Sequence, residues 1–423
     1  MSGLERGRII KEISMMGQQP GSTKVKRSTI VYQHMRDPAL LRYYYRLKMQ
    51  PATSSMSIAG ASPTDIFIGR YNYPKVYIGP MLPPEFGDTS RLGMPEEWAD
   101  LSIESIVEFR SKLVRGMQQS NVKNVEKGRM EEQIRELAMA AGPADSEMQF
   151  LKRPFIRMSL SDEVQPYGPS ALLRGFSLHN IKADQKIESM HSDTDAKSVT
   201  AITELYNRGV PVSRIQKALS AGLFGLKKRR KFVPTRWSIT AVDDTLSKGN
   251  LAEVKGYDSV DAVYAYYHVS LDNRWLIIFM PGSWEYESAE AWYPGTAWNE
   301  DGKSISIYSS YEGFKGRRGY AEIGGCYYAA RLAVTEKLKR LERQAAVLIL
   351  REVHEGYLMP VGVWNVREHV RQALTMEPYV MHSMDEVFAF IKGRLSIPIQ
   401  SWVANSRMLK DAVSQRKLYS YTR

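Results

Sequence analysis

The chain has 423 residues, which at roughly 150 residues per domain allows two or three domains or one large intertwined body. Hydrophobic residues make up 43% and charged residues 25%, ordinary for a globular protein with a sizeable core, and the formal net charge of +12 favours polyanions: nucleic acid first, an acidic membrane surface second. No apolar run of about 18 residues occurs and the N-terminus lacks a signal-peptide core, so a membrane span is excluded and a cytoplasmic, nucleoid-associated protein is expected; a single cysteine, Cys326, excludes an intramolecular disulfide and a cysteine-rich zinc site.

Residues 1–60 read as a basic N-terminal arm. Lys24, Lys26 and Arg27 precede Arg42-Tyr-Tyr-Tyr-Arg46, so the arm either contacts nucleic acid through cations interleaved with stacking aromatics or is solvated with its tyrosines packed on the body. From Pro63 the character changes. Ile66-Phe-Ile-Gly69 and Lys75-Val-Tyr-Ile-Gly-Pro80 flank Arg70-Tyr-Asn-Tyr-Pro74 and predict a hairpin or meander. Apolar spacing predicts helices over Ile103–Val114 and Met130–Ala141. Residues 194–222 outline helix, Gly-containing turn, helix, which is either an ordinary αα-hairpin or a helix-turn-helix.

The densest charge follows. Lys227, Lys228, Arg229, Arg230 and Lys231 repel one another unless an anion relieves them; they are either phosphate contacts or a solvated loop. Downstream, Arg236 and Trp237 suit a phosphate and a base. Asp243 and Asp244 offer either hard oxygen ligands for a divalent metal or, more simply, a helix cap or a salt bridge to Arg236.

Residues 260–310 turn to β, with strands around Val263–Val269, Trp275–Phe279, Trp284–Trp292 and Ile305–Tyr308, and an antiparallel, aromatic-rich sheet is expected. Glu312-Gly-Phe-Lys-Gly-Arg317-Arg318-Gly-Tyr320 is a second basic, glycine-rich loop, followed by Glu322. A long helix is predicted from about Gly325 to Gly356, on the stripe Tyr327, Ala330, Val334, Leu338, Leu341, Ala345 and Leu348. The Walker A, Cys-x-x-Cys, His-Glu-x-x-His and Gly-x-Ser-x-Gly patterns are missing. A metal-dependent nuclease built from Asp193, Asp195, Asp243, Asp244 and Glu322 stands as an alternative, with a divalent metal as its cofactor, and the charge alone also allows an RNA-binding or RNA-modifying protein.

The chain ends on Gln415-Arg-Lys-Leu418-Tyr-Ser-Tyr421-Thr422-Arg423. An amide, an aliphatic and an aromatic at i, i+3 and i+6 lie toward one side of a helical turn. That is the layout of peptides that dock into the DNA polymerase sliding clamp (PCNA), with Thr422 standing where a second aromatic is usual. The alternative is a tail that packs on the body or lies in solvent.

Several blocks together resemble the archaeal Nre DNA-repair family: Phe67-Ile-Gly-Arg-Tyr-Asn-Tyr-Pro-Lys-Val76 with Pro95-Glu-Glu-Trp98, Arg230-Lys-Phe-Val-Pro-Thr-Arg-Trp-Ser-Ile-Thr-Ala-Val-Asp-Asp244, Tyr320-Ala-Glu-Ile-Gly-Gly-Cys-Tyr-Tyr-Ala-Ala-Arg-Leu-Ala333, and Met359-Pro-Val-Gly-Val-Trp-Asn-Val-Arg-Glu368. The resemblance implies a DNA-damage-response protein that binds the sliding clamp through a C-terminal peptide mapping onto Gln415, Leu418 and Tyr421. Many family members also carry an N-terminal four-cysteine zinc finger, for which this sequence lacks the cysteines, so zinc is not expected. The chain is therefore expected to be α+β: an arm (1–60), two interlocked halves (61–248 and 249–402) and a clamp-binding tail (403–423), with DNA against the basic loops.

Overall fold

The computed structural model describes residues 54–155, 168–296, 298–299, 302–357 and 359–421, with backbone alone from 415 onward. The α+β class expected from the sequence is what it shows, with eleven α-helices and two six-stranded sheets among the described residues. The arm's basic and tyrosine-rich stretch, residues 1–53, lies outside the described residues.

The first sheet contains β1 (Ser57–Ser62), β2 (Ile66–Ile68), β3 (Lys75–Leu82), β4 (Val114–Asn121), β5 (Ala144–Phe150) and β6 (Ser170–His179), in the order β1-β5-β6-β4-β3-β2. The expected hairpin forms, β2 pairing antiparallel with β3 and Ile66 opposite Pro80. Helices α1 (Ile103–Ser111) and α2 (Arg129–Met139) interrupt the strands. The helix predicted over Ile103–Val114 stops at Ser111, because Val114 already opens β4. Next come α3 (Gln185–Ser192), α4 (Ser198–Asn207), α5 (Val212–Ser220) and α6 (Thr235–Val254). Helix α5 is buried along most of its length, from Val212 through Ser220, so it has no free face for a DNA groove and α4–α5 is an αα-hairpin.

The second sheet contains β7 (Val263–Ser270), β8 (Asn273–Met280), β9 (Glu285–Trp292), β10 (Ser306–Glu312), then α7 (Gly325–Leu341), β11 (Ala346–Val353), α8 (Trp364–Ala373) and β12 (Tyr379–Met381), in the order β10-β9-β11-β8-β7-β12. Its β7–β8 turn is Leu271-Asp272, both at positive φ, so the tight hairpin sits one residue earlier than the Asp272-Asn273 the sequence suggested. The chain closes with α9 (Met384–Arg394), α10 (Ile399–Asn405) and α11 (Arg407–Tyr421).

Two expectations are corrected here. The long helix to Gly356 ends at Leu341, where Glu342 takes the left-handed conformation, and Ala346–Val353 is a strand. Val347 to Leu350 is apolar on both faces because β11 lies between β8 and β9 with cores on either side, and such a run carries no period that separates strand from helix. The sheets are also mixed: β4 pairs parallel with β6, and β9 parallel with β11. Helix-containing connections make parallel neighbours possible, and the sequence reading had turned the second of these strands into helix.

Helix α6 ties the two sheets together. Val242 and Leu246 belong to the core under the first sheet, Leu251 and Val254 to the core under the second. A division between residues 248 and 249 therefore falls inside one continuous helix.

Candidate nucleic-acid interface

Three segments without an acidic residue meet around the first turn of α6: the β2–β3 turn (Arg70–Lys75), the run from Lys227 to Val242, and the loop from Gly313 to Ala321. Their meeting is dictated locally. The Ile68 amide donates to Thr235 Oγ1 at 2.9 Å, which fixes the hairpin against the start of α6. The Phe232 side chain is fully buried, and its amide donates to the Val122 carbonyl at 2.9 Å. Gly222 holds φ at +70°, and a Cβ there would stand 2.7 Å from the Lys231 carbonyl oxygen, so only glycine lets the basic run fold back so closely.

At the surface, Tyr73 lies against Trp237 with ring centroids 5.2 Å apart. Lys231 Nζ is 3.4 Å from the Tyr73 hydroxyl. One turn further along α6, Thr240 Oγ1 is 3.5 Å from the Tyr320 hydroxyl. These contacts join hairpin, helix and loop into one strip. Tyr71 is 78% exposed, Tyr73 42%, Trp237 45% and Tyr320 56%.

The structure sorts the cations expected to meet nucleic acid. Lys227, Lys228, Arg229, Lys231 and Arg318 are exposed and form no ion pair with any described residue. Arg236 is half-buried in the first turn of α6. Arg230 is different: it is buried, its Nε donates to Gly225 O at 2.9 Å and a terminal nitrogen donates to Asp193 O at 2.8 Å. Arg317 is also committed. It donates to the Tyr311 and Tyr320 carbonyls at 3.1 and 3.0 Å and to the Glu322 carboxylate at 2.9 Å, so it pins the glycine-rich loop from beneath and leaves Arg318 outward.

Of the carboxylates considered for catalysis, Asp243, Asp244 and Glu322 each pair with a different arginine, and Asp193 turns to backbone amides. Asp243 is fully buried and accepts both oxygens' worth of contact from Arg367, at 2.9 and 3.1 Å, with Gln216 donating at 3.2 Å. Burial pushes its carboxyl up to about 6 against the pull of Arg367. Asp244 faces Arg331 and Lys248. Glu322 faces Arg317 and accepts from the Ser310 hydroxyl at 2.6 Å. Asp193 turns its Oδ1 to the Asp195 and Ala196 amides at 3.0 and 2.9 Å. The salt-bridge alternative weighed for Asp243 and Asp244 is what forms, but with Arg367 and Arg331, from distant helices, in place of Arg236. Among the described residues no three His, Cys, Asp or Glu side chains gather as metal ligands would.

The tail is anchored at its root. Buried Glu287 accepts from the Arg407 and Met408 amides and the Ser406 hydroxyl, all at 2.8 Å. A carboxylate against a helix N-terminus satisfies its free amides and its dipole together. Met408 and Leu409 are buried in the core beneath the second sheet. The backbone of α11 runs on helically through Gln415, Leu418 and Tyr421, while Thr422 lies outside the described residues. A cavity of about 650 Å³ brings Arg407 and Lys410 from this root beside Arg317, Arg318 and Tyr320, so tail and basic loop are neighbours.

Sequence reading had singled out Trp237 but missed Tyr71, Tyr73 and Tyr320 as parts of the surface. Their signal was there: an aromatic turn and an aromatic loop end, each free of acids.

Comparison with known proteins agrees with the blocks of residues noted above. The family model described as archaeal Nre, N-terminal, matches residues 33–299, and the archaeal Nre, C-terminal, model matches residues 312–421. The chain is 39% identical over 365 residues to DNA repair protein NreB of Archaeoglobus fulgidus, covering 86% of this chain and 92% of that one. It is 33% identical over 344 residues to DNA repair protein NreA of the same organism (80% and 85%), and 38% identical over 329 residues to DNA repair protein NreA of Haloferax volcanii (75% and 78%). No solved structure matches. The chain belongs to the archaeal Nre family.

Proposed function

We propose that this protein acts in DNA repair, recruited to the sliding clamp through Gln415, Leu418 and Tyr421 and contacting DNA through the strip around α6. The observation that carries the DNA contact is the set of exposed cations Lys227, Lys228, Arg229, Lys231 and Arg318, which form no ion pair with a described residue although acids abound elsewhere. Relatives named as DNA repair proteins, alike over most of their length, support the setting. No described helix is long and apolar enough to cross a membrane.

Energetics make the two contacts interdependent. Burying Leu418 and Tyr421 in a clamp pocket contributes roughly 1.5–3 kcal/mol each. Association opposes this by at least ~4 kcal/mol, and ordering costs add to it. The tail by itself is therefore a weak ligand, and DNA contact by the body raises its effective concentration at a DNA-loaded clamp. The cavity shared by the root of α11 and the Arg317–Tyr320 loop supports a reading in which the tail leaves the body beside the basic loop. The nuclease alternative gains nothing from the geometry, since Asp243, Asp244 and Glu322 face three separate arginines.

The test is capture of the purified full chain on immobilised sliding clamp. Leu418→Ala with Tyr421→Ala should abolish capture while leaving DNA binding intact; normal capture by the double variant refutes the tail assignment.

A further inference from the structure

We infer that the strip around the first turn of α6 binds unpaired DNA, its aromatic rings stacking on exposed bases while the surrounding cations hold the phosphates. The inference rests on the DNA-contact reading above and narrows it to a substrate class.

The argument starts from what is exposed. Large aromatic rings at a surface leave apolar faces in water and mark binding sites when they cluster. Here Tyr71, Tyr73, Trp237 and Tyr320 come from three segments far apart in sequence, and two close contacts join them: Tyr73 to Trp237 at 5.2 Å between centroids, and Tyr320 to Thr240, one turn beyond Trp237, at 3.5 Å. Tyr71 carries the Arg70 guanidinium 5.3 Å from its ring centre, so the hairpin tip offers a ring and a cation together.

Next comes charge. The three segments contain no Asp or Glu between Arg70 and Lys75, between Lys227 and Val242, or between Gly313 and Ala321. Within these segments no carboxylate opposes a phosphate, the nearby Glu322 is taken up by Arg317, and Lys231 sits directly beside the Tyr73 ring edge. Alternating rings and cations are the components of surfaces that track single strands.

The aromatic component decides between duplex and single strand. A duplex turns its base faces inward and offers phosphates and base edges, so exposed lysines and arginines serve it as well as they serve a single strand. Ring faces gain only when base faces are free. The buried α5 points the same way, since it presents no helix for a major groove.

The chain carries its own reporter. Of the eight tryptophans, Trp98, Trp275, Trp284, Trp292, Trp364 and Trp402 are buried, Trp298 is partly buried, and Trp237 is exposed. Stacking of a base on Trp237 should quench its fluorescence, and Trp237→Phe should remove that signal while keeping a ring in place.

The experiment titrates the full chain with a labelled single-stranded DNA, its duplex and a single-stranded RNA of the same sequence, at several salt concentrations. The single-stranded DNA should bind tightest and quench Trp237. Trp237→Ala and Tyr73→Ala should each weaken it on the order of tenfold, with duplex affinity changed less than about twofold. Tyr71→Ala should do the same from a position that no packing depends on. Duplex binding as tight as single-strand binding, equal losses on both, or a preference for RNA overturns the inference. If the ring variants leave both ligands unchanged while Lys227→Ala with Lys228→Ala weakens both, stacking is refuted and the DNA-contact reading stands.

Discussion

Helix α6 takes part in two polar regions that use the same amino acids to opposite ends. At its first turn lies the exposed strip, where Lys227, Lys228, Arg229 and Lys231 face solvent without an acidic partner among the described residues. Two turns on lies a buried seam: Asp243 with Arg367, Asp244 with Arg331, Arg331 with Glu312 at 2.7 Å, and Arg371 bridging Glu368 at 3.0 Å and Glu336 at 2.6 Å. Every one of these seam arginines is matched to a carboxylate. Burial without a partner is prohibitive for a charge, so the interior forces pairing, whereas solvent tolerates the unpaired run and leaves it available to a polyanion. The difference teaches that a cation's role here follows from its surroundings: Arg230, inside the basic run, belongs with the buried set by its contacts to Gly225 and Asp193.

The contrast breaks most visibly at Arg331. Its guanidinium meets Glu312, Asp244 and Ser247 Oγ, the last at 3.1 Å, and lies over the Tyr327 and Tyr328 rings at 5.6 and 5.4 Å. Arg331→Met keeps much of the volume but strands the buried Glu312 carboxylate. Removing one partner of a buried pair costs roughly 3–5 kcal/mol, so the denaturant midpoint should fall steeply with the m-value unchanged. A loss below about 1 kcal/mol would mean that the seam is no more than a solvated ion pair.

A smaller effect comes from pH. His369 stands on α8 stacked on His268 with ring centroids 5.7 Å apart, its Nδ1 2.7 Å from Asn365 O and its Nε2 3.1 Å from Ala99 O. Burial holds its pKa down to about 4, so the ring is neutral in the folded protein. The unfolded ring, near 6.5, takes up a proton first on acidification; the stability this group supplies is complete above that value and is lost as pH falls toward 4. Linkage puts the loss between pH 7 and pH 5 at about 2 kcal/mol. Asp243 has the opposite sign: with its carboxyl raised to about 6, acidification through that value favours the folded state. The two are separated by comparing the wild type with His369→Gln at both pH values. The variant should lose about 2 kcal/mol less on going to pH 5, and equal losses in the two proteins would show that burial does not lower the pKa of His369.

Much of this was legible in the sequence. The hairpin around Arg70–Pro74, the two helices within 194–222 and the α+β class followed from period and turn residues, because each is decided largely by contacts a few positions apart. The family resemblance rested on contiguous blocks, and it placed the Val-Pro-Thr-Arg-Trp segment among them. What sequence could not supply were pairings across the chain. Asp243 and Arg367 are 124 residues apart, and Asp244 and Arg331 are 87 apart; nothing local distinguishes them from surface charges or metal ligands. Strand β11 was lost for a related reason, since burial on both faces erases its alternation. The strip's rings were visible singly, but their convergence depends on the Ile68–Thr235 contact across 167 residues.

The smallest stability effects, and the sharpest test of the comparison, lie within the basic run itself. Lys227→Ala, Lys228→Ala and Arg229→Ala together remove three exposed charges that no described residue pairs. Surface substitutions of this kind shift stability by no more than about 0.5 kcal/mol each. Their effect belongs to DNA: three lost phosphate contacts should lower the slope of log Kobs against log salt by about 2 to 3. Arg230→Ala, a neighbour of identical chemistry, should behave in reverse. It unmakes buried hydrogen bonds to Gly225 O and Asp193 O, so it should cost roughly 1–3 kcal/mol of stability and leave the salt slope nearly untouched. If the triple variant leaves the slope unchanged, the run is a solvated loop and the exposed half of the comparison fails. If Arg230→Ala changes the slope as much as one of the exposed three, burial has not withdrawn it from DNA, and the two regions are not as distinct as their surroundings make them.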